Sequence, residues 1–279
     1  MMSVLLSGLN RGIHLGGTAR SPDDVISLYK LGLRFAEITV AEPENFGLLQ
    51  NEYRARSGET GLYYLCHGPR EGDPNDIHTL ETIYFPKLLQ VLSIMPELEM
   101  RLLTVHLWLD PRFVLEETIV YKIGFLKRLT ERAGAGGITV CLENLSENGE
   151  HLAGVFAAVP ALNLTLDLGH AELLSGENTS FGFLEMWSDR IKHVHLHDNL
   201  GGTSADDDLH LPVGEGKIDF HRIFQGLHAV HYRGTMTLEL RPGQIERCLG
   251  YVKHLVNPIK YESARDEIFT GVIKNPIMG

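Results

Sequence analysis

Seven short segments of this 279-residue chain each place a metal-ligating side chain at or near the end of an apolar, strand-forming run. In order they are Leu65-Cys66-His67-Gly68-Pro69, Leu103-Thr104-Val105-His106-Leu107, Val140-Cys141-Leu142-Glu143-Asn144, Thr165-Leu166-Asp167-Leu168-Gly169-His170, His193-Val194-His195-Leu196-His197-Asp198-Asn199, Asp208-Leu209-His210 and Thr237-Leu238-Glu239-Leu240-Arg241. One His or Glu after an apolar run carries little information. A series of them along one chain predicts parallel strands that all aim at one place. A closed (β/α)8 barrel does this, because its strands end around a single C-terminal mouth. The fold class expected is therefore α/β, a single (β/α)8 TIM barrel, with a metal site at that mouth.

The rest of the chain keeps the same rhythm. Short β-prone runs alternate with longer amphipathic segments, which predicts a parallel sheet with crossover helices. Strands are expected at Ile13-His14-Leu15, Phe35 to Val40, Leu62 to Cys66, Leu102 to His106, Ile138 to Glu143, Leu162 to Asp167, Ile191 to His197 and Thr235 to Leu240. Ser21-Pro22-Asp23-Asp24 supplies a helix start: an N-cap, a proline at the first position and acid in the first turn. Further helices are expected over Asp76 to Met95, with Pro86 as a break or kink, and over Phe113 to Ala133, Asp219 to Leu227 and Gln244 to Val256. Gly134-Ala135-Gly136-Gly137 reads as a tight turn into the fifth strand. No linker divides the chain, so residues 1–256 are expected to form the barrel. The tail, 257–279, carries Pro258 and Pro276 without a clear period and reads as a surface strap or partner contact.

Composition excludes several classes. No apolar run approaches the ~18 residues of a membrane span, and Val4-Leu5-Leu6 is too short for a signal-peptide core. Cys66, Cys141 and Cys248 have no CxxC or zinc-finger spacing, which points to reduced, buried thiols in a cytoplasmic protein. A net charge of −11 disfavours nucleic acid as a partner. A small molecule is the expected ligand.

Glu143, Asp167, His195 and Glu239 sit at or near the ends of four successive predicted strands. Three carboxylates and one imidazole suit a divalent ion such as Mn²⁺, Co²⁺, Mg²⁺ or Zn²⁺. His67, His106, His170, Asp208 and His210 form a further set. They are either substrate-contact and supporting groups around one ion, or extra ligands for two or three ions. Residues two apart on a strand share a face, so His193, His195 and His197 line one side of the seventh strand. His193 would be deepest, as a core histidine, and His197 would lie near the mouth, in reach of substrate. Arg241 shares the face of Glu239 and is placed for a phosphate or carboxylate. His14 and Glu37 are candidates to line the pocket, and a glutamate at the position of Glu37 more often pairs with a neighbouring base. Asp206 and Asp207 read as a solvated turn.

The block His195-Leu196-His197-Asp198-Asn199, followed by Asp208-Leu209-His210-Leu211-Pro212-Val213-Gly214-Glu215-Gly216, resembles the common block of the sugar phosphate isomerase/epimerase proteins. These lie within the xylose-isomerase-like TIM barrels, a superfamily that also holds endonuclease IV (AP endonuclease family 2). Glu143-Asn144 and Asp167-Leu168-Gly169-His170 fit the same superfamily, and the resemblance spans nearly the whole chain. In the epimerase branch it implies one ion on Glu143, Asp167, His195 and Glu239. The two glutamates would then shuttle a proton next to a carbonyl. In the endonuclease IV branch it implies three zinc ions on those four residues plus His67, His106, His170, Asp208 and His210. Three features favour the first branch: the acidic chain, a loop after His67 (Gly68 to Pro74) without aromatics, and Phe35-Ala36-Glu37-Ile38, which resembles the second strand of the sugar enzymes. The expected function is a metal-dependent sugar or sugar-phosphate isomerase/epimerase, with a multi-zinc phosphodiester hydrolase as the alternative. A non-catalytic scaffold is disfavoured, because both acid/base glutamates are present. By analogy with such barrels, the chain is expected to form a homo-oligomer.

Overall fold

The computed structural model describes residues 12–257. Eight strands form a closed parallel barrel in sequence order. They are β1 (His14–Ala19), β2 (Phe35–Thr39), β3 (Tyr63–His67), β4 (Leu102–Val105), β5 (Thr139–Glu143), β6 (Asn163–Asp167), β7 (Ile191–Leu196) and β8 (Thr235–Leu238). The helices that follow them in turn are α1 (Pro22–Lys30), α2 (Pro43–Thr60), α3 (Phe85–Ile94), α4 (Glu116–Ala135), α5 (Ala153–Ala158), α6 (Ser180–Trp187), α7 (Phe220–Ala229) and α8 (Pro242–Val256). The expected single (β/α)8 barrel is what the chain forms.

The strands alternate as a barrel wall requires. Ile38, Val140, Leu142, Val194, Leu196 and Met236 belong to the buried apolar layer between strands and helices. The alternate positions fill the interior with polar groups that satisfy one another. Thr104 and Thr165 hydroxyls meet at 2.9 Å, and His193 Nδ1 meets Thr235 Oγ1 at 2.6 Å.

β1 runs further than its sequence predicts. Beyond Ile13-His14-Leu15 the strand continues through Gly16 and Gly17 to Ala19. A side chain at Gly16 would overlap the Phe35 ring, and one at Gly17 would run into Leu28 and Ile245. These glycines therefore mark close packing on both faces of a strand rather than a turn. His14 becomes the first residue of β1, in register with Thr235, the first of β8. It lies at the end of the barrel away from the mouth, with Nδ1 3.0 Å from the Tyr63 hydroxyl. The expectation that His14 lines the pocket is corrected by this placement.

The helix starts follow local chemistry. Ser21 Oγ accepts from Asp24 N, and the Asp24 carboxylate accepts from Ser21 N, a reciprocal cap. Asp219 caps α7 by accepting from Arg222 N at 3.0 Å. Helix α2 has no counterpart in the sequence reading, because it buries only Pro43, Phe46 and Tyr53 and shows no clear apolar stripe. The segment expected as one helix from Asp76 to Met95 is divided: a turn at Ile77–Thr79, a wide π-helical turn at Leu80–Tyr84, then α3 with Pro86 in its first turn. The wide turn lets the chain pass the missing proline N–H without a break. The tail beyond residue 257 lies outside the described residues, as does Val4-Leu5-Leu6.

Candidate metal centre

Strand register delivers the first donor set. Asp167 stands beside His195, and Glu143 beside Thr165 one step lower, so the ends of β5, β6 and β7 form a staircase. His195 Nδ1 lies 3.1 Å from Glu143 Oε1, 3.4 Å from Glu239 Oε1 and 3.6 Å from Asp167 Oδ2. One donor atom from each of the four lies within 4.8 Å of the others. The opposite nitrogen of the ring, Nε2, is 3.0 Å from Glu37 Oε2. That same carboxylate oxygen is 3.1 Å from His193 Nε2. Glu37 is thus enclosed beneath His195 and pairs with two imidazoles. Glu37 pairs with neighbouring bases and is not among the residues that line the mouth cavity, and His193 is a satisfied core histidine.

The remaining candidates gather around the same carboxylates in two further groups. His67 Nε2 and His106 Nε2 stand 3.2 and 2.9 Å from Glu143 Oε2. His106 Nε2 is buried and has no aligned hydrogen-bond partner despite that short approach. Two lone-pair donors facing one another suit a shared cation better than a hydrogen bond. The third group is His170, His197, Asp208 and His210. Asp208 Oδ2 lies 2.9 Å from His210 Nε2 and 3.3 Å from His170 Nε2. Three of these rings are oriented alike. Nδ1 of His67, His170 and His210 meets the backbone carbonyls of Gly68, Asn144 and Glu239 at 2.9, 3.1 and 3.1 Å. A ring that donates from Nδ1 keeps the Nε2 lone pair for a ligand, which is how metal-binding histidines are set.

His197 is fully buried, with Nε2 3.0 Å from Asp167 Oδ1, and its ring stacks on His210 at 3.9 Å between centroids. The expected substrate contact by His197 is corrected: the ring supports donors instead of facing the mouth. Residues the sequence reading left without roles hold the site's backbone. Asn144 accepts from Asp167 N at 2.8 Å and donates to Asp167 O at 2.9 Å. The buried Asp198 carboxylate accepts from the amides of Asn199, Gly214, Gly216 and Ile218. Asn199 accepts from Leu209 N and donates to Asp208 Oδ1. These bonds pin the loop that carries Asp208 and His210, whose backbone φ is +45°.

Electrostatics follow from the packing. Burial alone would raise Glu143, but His106 and His195 hold it well below the usual carboxylate range. Asp167 and Asp208 are held low in the same way by their histidines. Burial opposes charge on His67, but its bond to Glu143 raises it to about 9. Against burial, Asp208 raises His210 to about 8, and carboxylates carry His170 and His195 well above their ordinary value. His106 alone goes down, because burial dominates there. The donor set thus concentrates anionic carboxylates that a divalent cation would satisfy. Its chemistry and crowding fit such an ion.

Above the donors lies a cavity of about 460 Å³, a volume suited to a small ligand. His67, His106, His170, His210 and Glu239 face it, together with Arg20, Arg70 and Lys87. The Glu239 side chain retains 14% exposure, whereas that of Glu143 has none. Arg241 does not line this cavity. It is exposed at the start of α8 and borders a smaller neighbouring cavity with Arg20 and Thr18. Arg20 and Arg70 escaped the sequence reading; their positions just past β1 and β3 were the available signal.

The profile of the family described as "Xylose isomerase-like TIM barrel" matches residues 27–255. The chain belongs to that family. Among curated relatives it is 29% identical over 155 residues to an uncharacterized protein of Methanocaldococcus jannaschii, covering 51% of this chain and 52% of that one. It is 29% identical over 119 residues to the 3-dehydro-D-guloside 4-epimerase of Escherichia coli, covering 42% and 44%. The chain spans about half the length of the curated relatives it matches. Among solved structures, a D-tagatose 3-epimerase-like protein superposes with a TM-score of 0.74 at 19% identity, over 90% of this chain and 100% of that one. An apo 3-keto-D-glucoside 4-epimerase from E. coli superposes with a TM-score of 0.68 at 18% identity, over 86% and 99%. At those identities the superpositions show the fold.

Proposed function

We propose that this chain is a divalent-metal-dependent isomerase or epimerase of a small sugar or sugar phosphate, moving a proton at a carbon next to a carbonyl. The observation that carries the reading is the convergence of Glu143, Asp167 and Glu239 on His195 Nδ1 beneath a sugar-sized cavity. The epimerase names of its relatives point the same way. A divalent ion held by those four residues would polarise the carbonyl and hydroxyl oxygens and stabilise an enediolate. Glu239, whose carboxylate faces the cavity, takes the proton. Glu143, in the same donor set and fully enclosed by histidines, is assigned as the second acid/base group. His67 and His106, which line the cavity, hydrogen-bond substrate hydroxyls.

A second reading is a multi-zinc phosphodiester hydrolase. The alike orientation of His67, His170 and His210 favours it, since each leaves Nε2 directed at a carboxylate. Glu143 would then be a ligand shared between ions rather than a proton carrier.

Metal content per chain, measured on protein purified without added metal, separates the two when paired with turnover. One ion with solvent-proton exchange into a ketose supports the epimerase, and Glu239→Gln should abolish that exchange. Two to three zinc ions with diester cleavage would replace it. In the epimerase, His67→Ala and His106→Ala have mild effects; in the hydrolase they strip ligands and activity. A scaffold would turn over neither substrate.

A further inference from the structure

Two guanidinium groups at the mouth cavity have no ion-pair partner among the described residues. Arg70, in the loop after β3, and Arg20, directly after β1, both line it. Among the described residues, neither guanidinium forms an ion pair. Elsewhere Arg54, Arg128 and Arg222, among others, sit against Glu97, Glu81 and Glu177. Lys87 also borders the cavity but is neutralised by Glu42 at 2.7 Å. Asp24, the acid nearest Arg20 in sequence, spends Oδ2 on the backbone amides of Arg20 and Ser21. An arginine fork matches the two oxygens of a phosphate or carboxylate.

We infer that Arg20 and Arg70 form an anion subsite, and that the ligand of this cavity is a sugar bearing a terminal phosphate or carboxylate. The sugar part of this statement rests on the epimerase reading; the anion part rests on the two guanidinium groups alone. The ligand spans the cavity, with its reacting carbons over Glu239 and its anionic end at Arg20 and Arg70. Arg241 lies across Arg20 in the neighbouring cavity and is not one of the two. Both proposed residues are exposed, so glutamine in their place leaves the barrel intact.

Isothermal titration with inorganic phosphate, ribose 5-phosphate, glucuronate and ribose tests this on protein of measured metal content. The wild type should bind ribose 5-phosphate or glucuronate on the order of tenfold more tightly than ribose. That advantage should vanish in the Arg20→Gln/Arg70→Gln double variant at unchanged metal content. Preference for ribose 5-phosphate, with competition by inorganic phosphate, identifies a phosphate; preference for glucuronate identifies a carboxylate. An anion advantage that survives in the double variant, or is absent from the wild type, overturns the subsite. The two readings fail separately. Arginine-dependent binding without proton exchange in any ketose removes the epimerase and keeps the subsite. Exchange that treats charged and neutral sugars alike in wild type and variant does the reverse.

Discussion

Glu37 Oε2 lies 3.0 Å from His195 Nε2, on the side of the ring away from Glu143, Asp167 and Glu239. The pair sets which nitrogen of His195 carries the proton. With Nε2–H donated to Glu37, the Nδ1 lone pair points at the three carboxylates, where a cation would be held. His193 braces Glu37 from below at 3.1 Å. Glu37→Gln should therefore weaken metal affinity by about 10–100-fold, as loss of such a partner does elsewhere. The fold should be kept. Competition with a chelator of known affinity measures it, and wild-type affinity in the variant would remove Glu37 from this role.

The metal-free protein should lose stability as pH rises. His67 titrates near 9 when folded, against an ordinary 6.5. Its contribution is complete below about pH 6.5 and is lost as pH rises through about 9. His170 and His195 act in the same direction. The carboxylates of Glu143, Asp167 and Asp208 are held low, so their contribution is lost on the acid side instead. Metal binding requires neutral rings, so affinity should rise with pH and protons should be released. Thermal melts of chelated protein from about pH 6 to 9, and calorimetry in two buffers, check both signs. Melting temperatures that climb over this range without metal would contradict the assignment.

Gly169 is held to glycine by the His197 ring rather than by its backbone. Its φ of −75° suits any residue, but a Cβ would overlap the imidazole. Gly169→Ala should displace His197 from Asp167, costing about 1–3 kcal/mol in urea unfolding and weakening metal binding. Gly154→Ala, in α5 with open space around it, is the control and should be neutral or slightly stabilising.

Lys122 in α4 is fully buried, with Nζ 2.8 Å from Glu71 Oε2 and 2.7 Å from the Trp108 carbonyl. Glu71 Oε1 accepts from Trp108 N at 2.6 Å. This network ties together the loops after β3 and β4, which follow His67 and His106. Lys122→Met should cost about 3–5 kcal/mol, because a buried carboxylate loses its counter-charge. Adding Glu71→Gln should recover part of that loss. Denaturant unfolding of both variants measures it; a single variant within about 1 kcal/mol of wild type would show the pair to be dispensable.

Much of this protein is decided by local rules that a sequence displays. Period-two alternation puts His193, His195 and His197 on one face of β7, and Ser21-Pro22 starts α1, because side-chain direction and capping depend only on near neighbours. Strand ends that carry Glu143, Asp167 and Glu239 announce a shared mouth for the same reason. Other features arise only when distant elements meet. Gly16 and Gly17 gain their meaning from Phe35, Leu28 and Ile245, which fill the space beside them, and barrel register puts His14 at the far end from the mouth. Which face of the His195 ring meets the carboxylates depends on Glu37, 158 residues away. The sorting of ten side chains into three groups depends on strand stagger and on the carbonyls of Gly68, Asn144 and Glu239. Arg20 and Arg70 have no period to betray them, since a loop arginine gains meaning only from the cavity it faces and the acids it lacks.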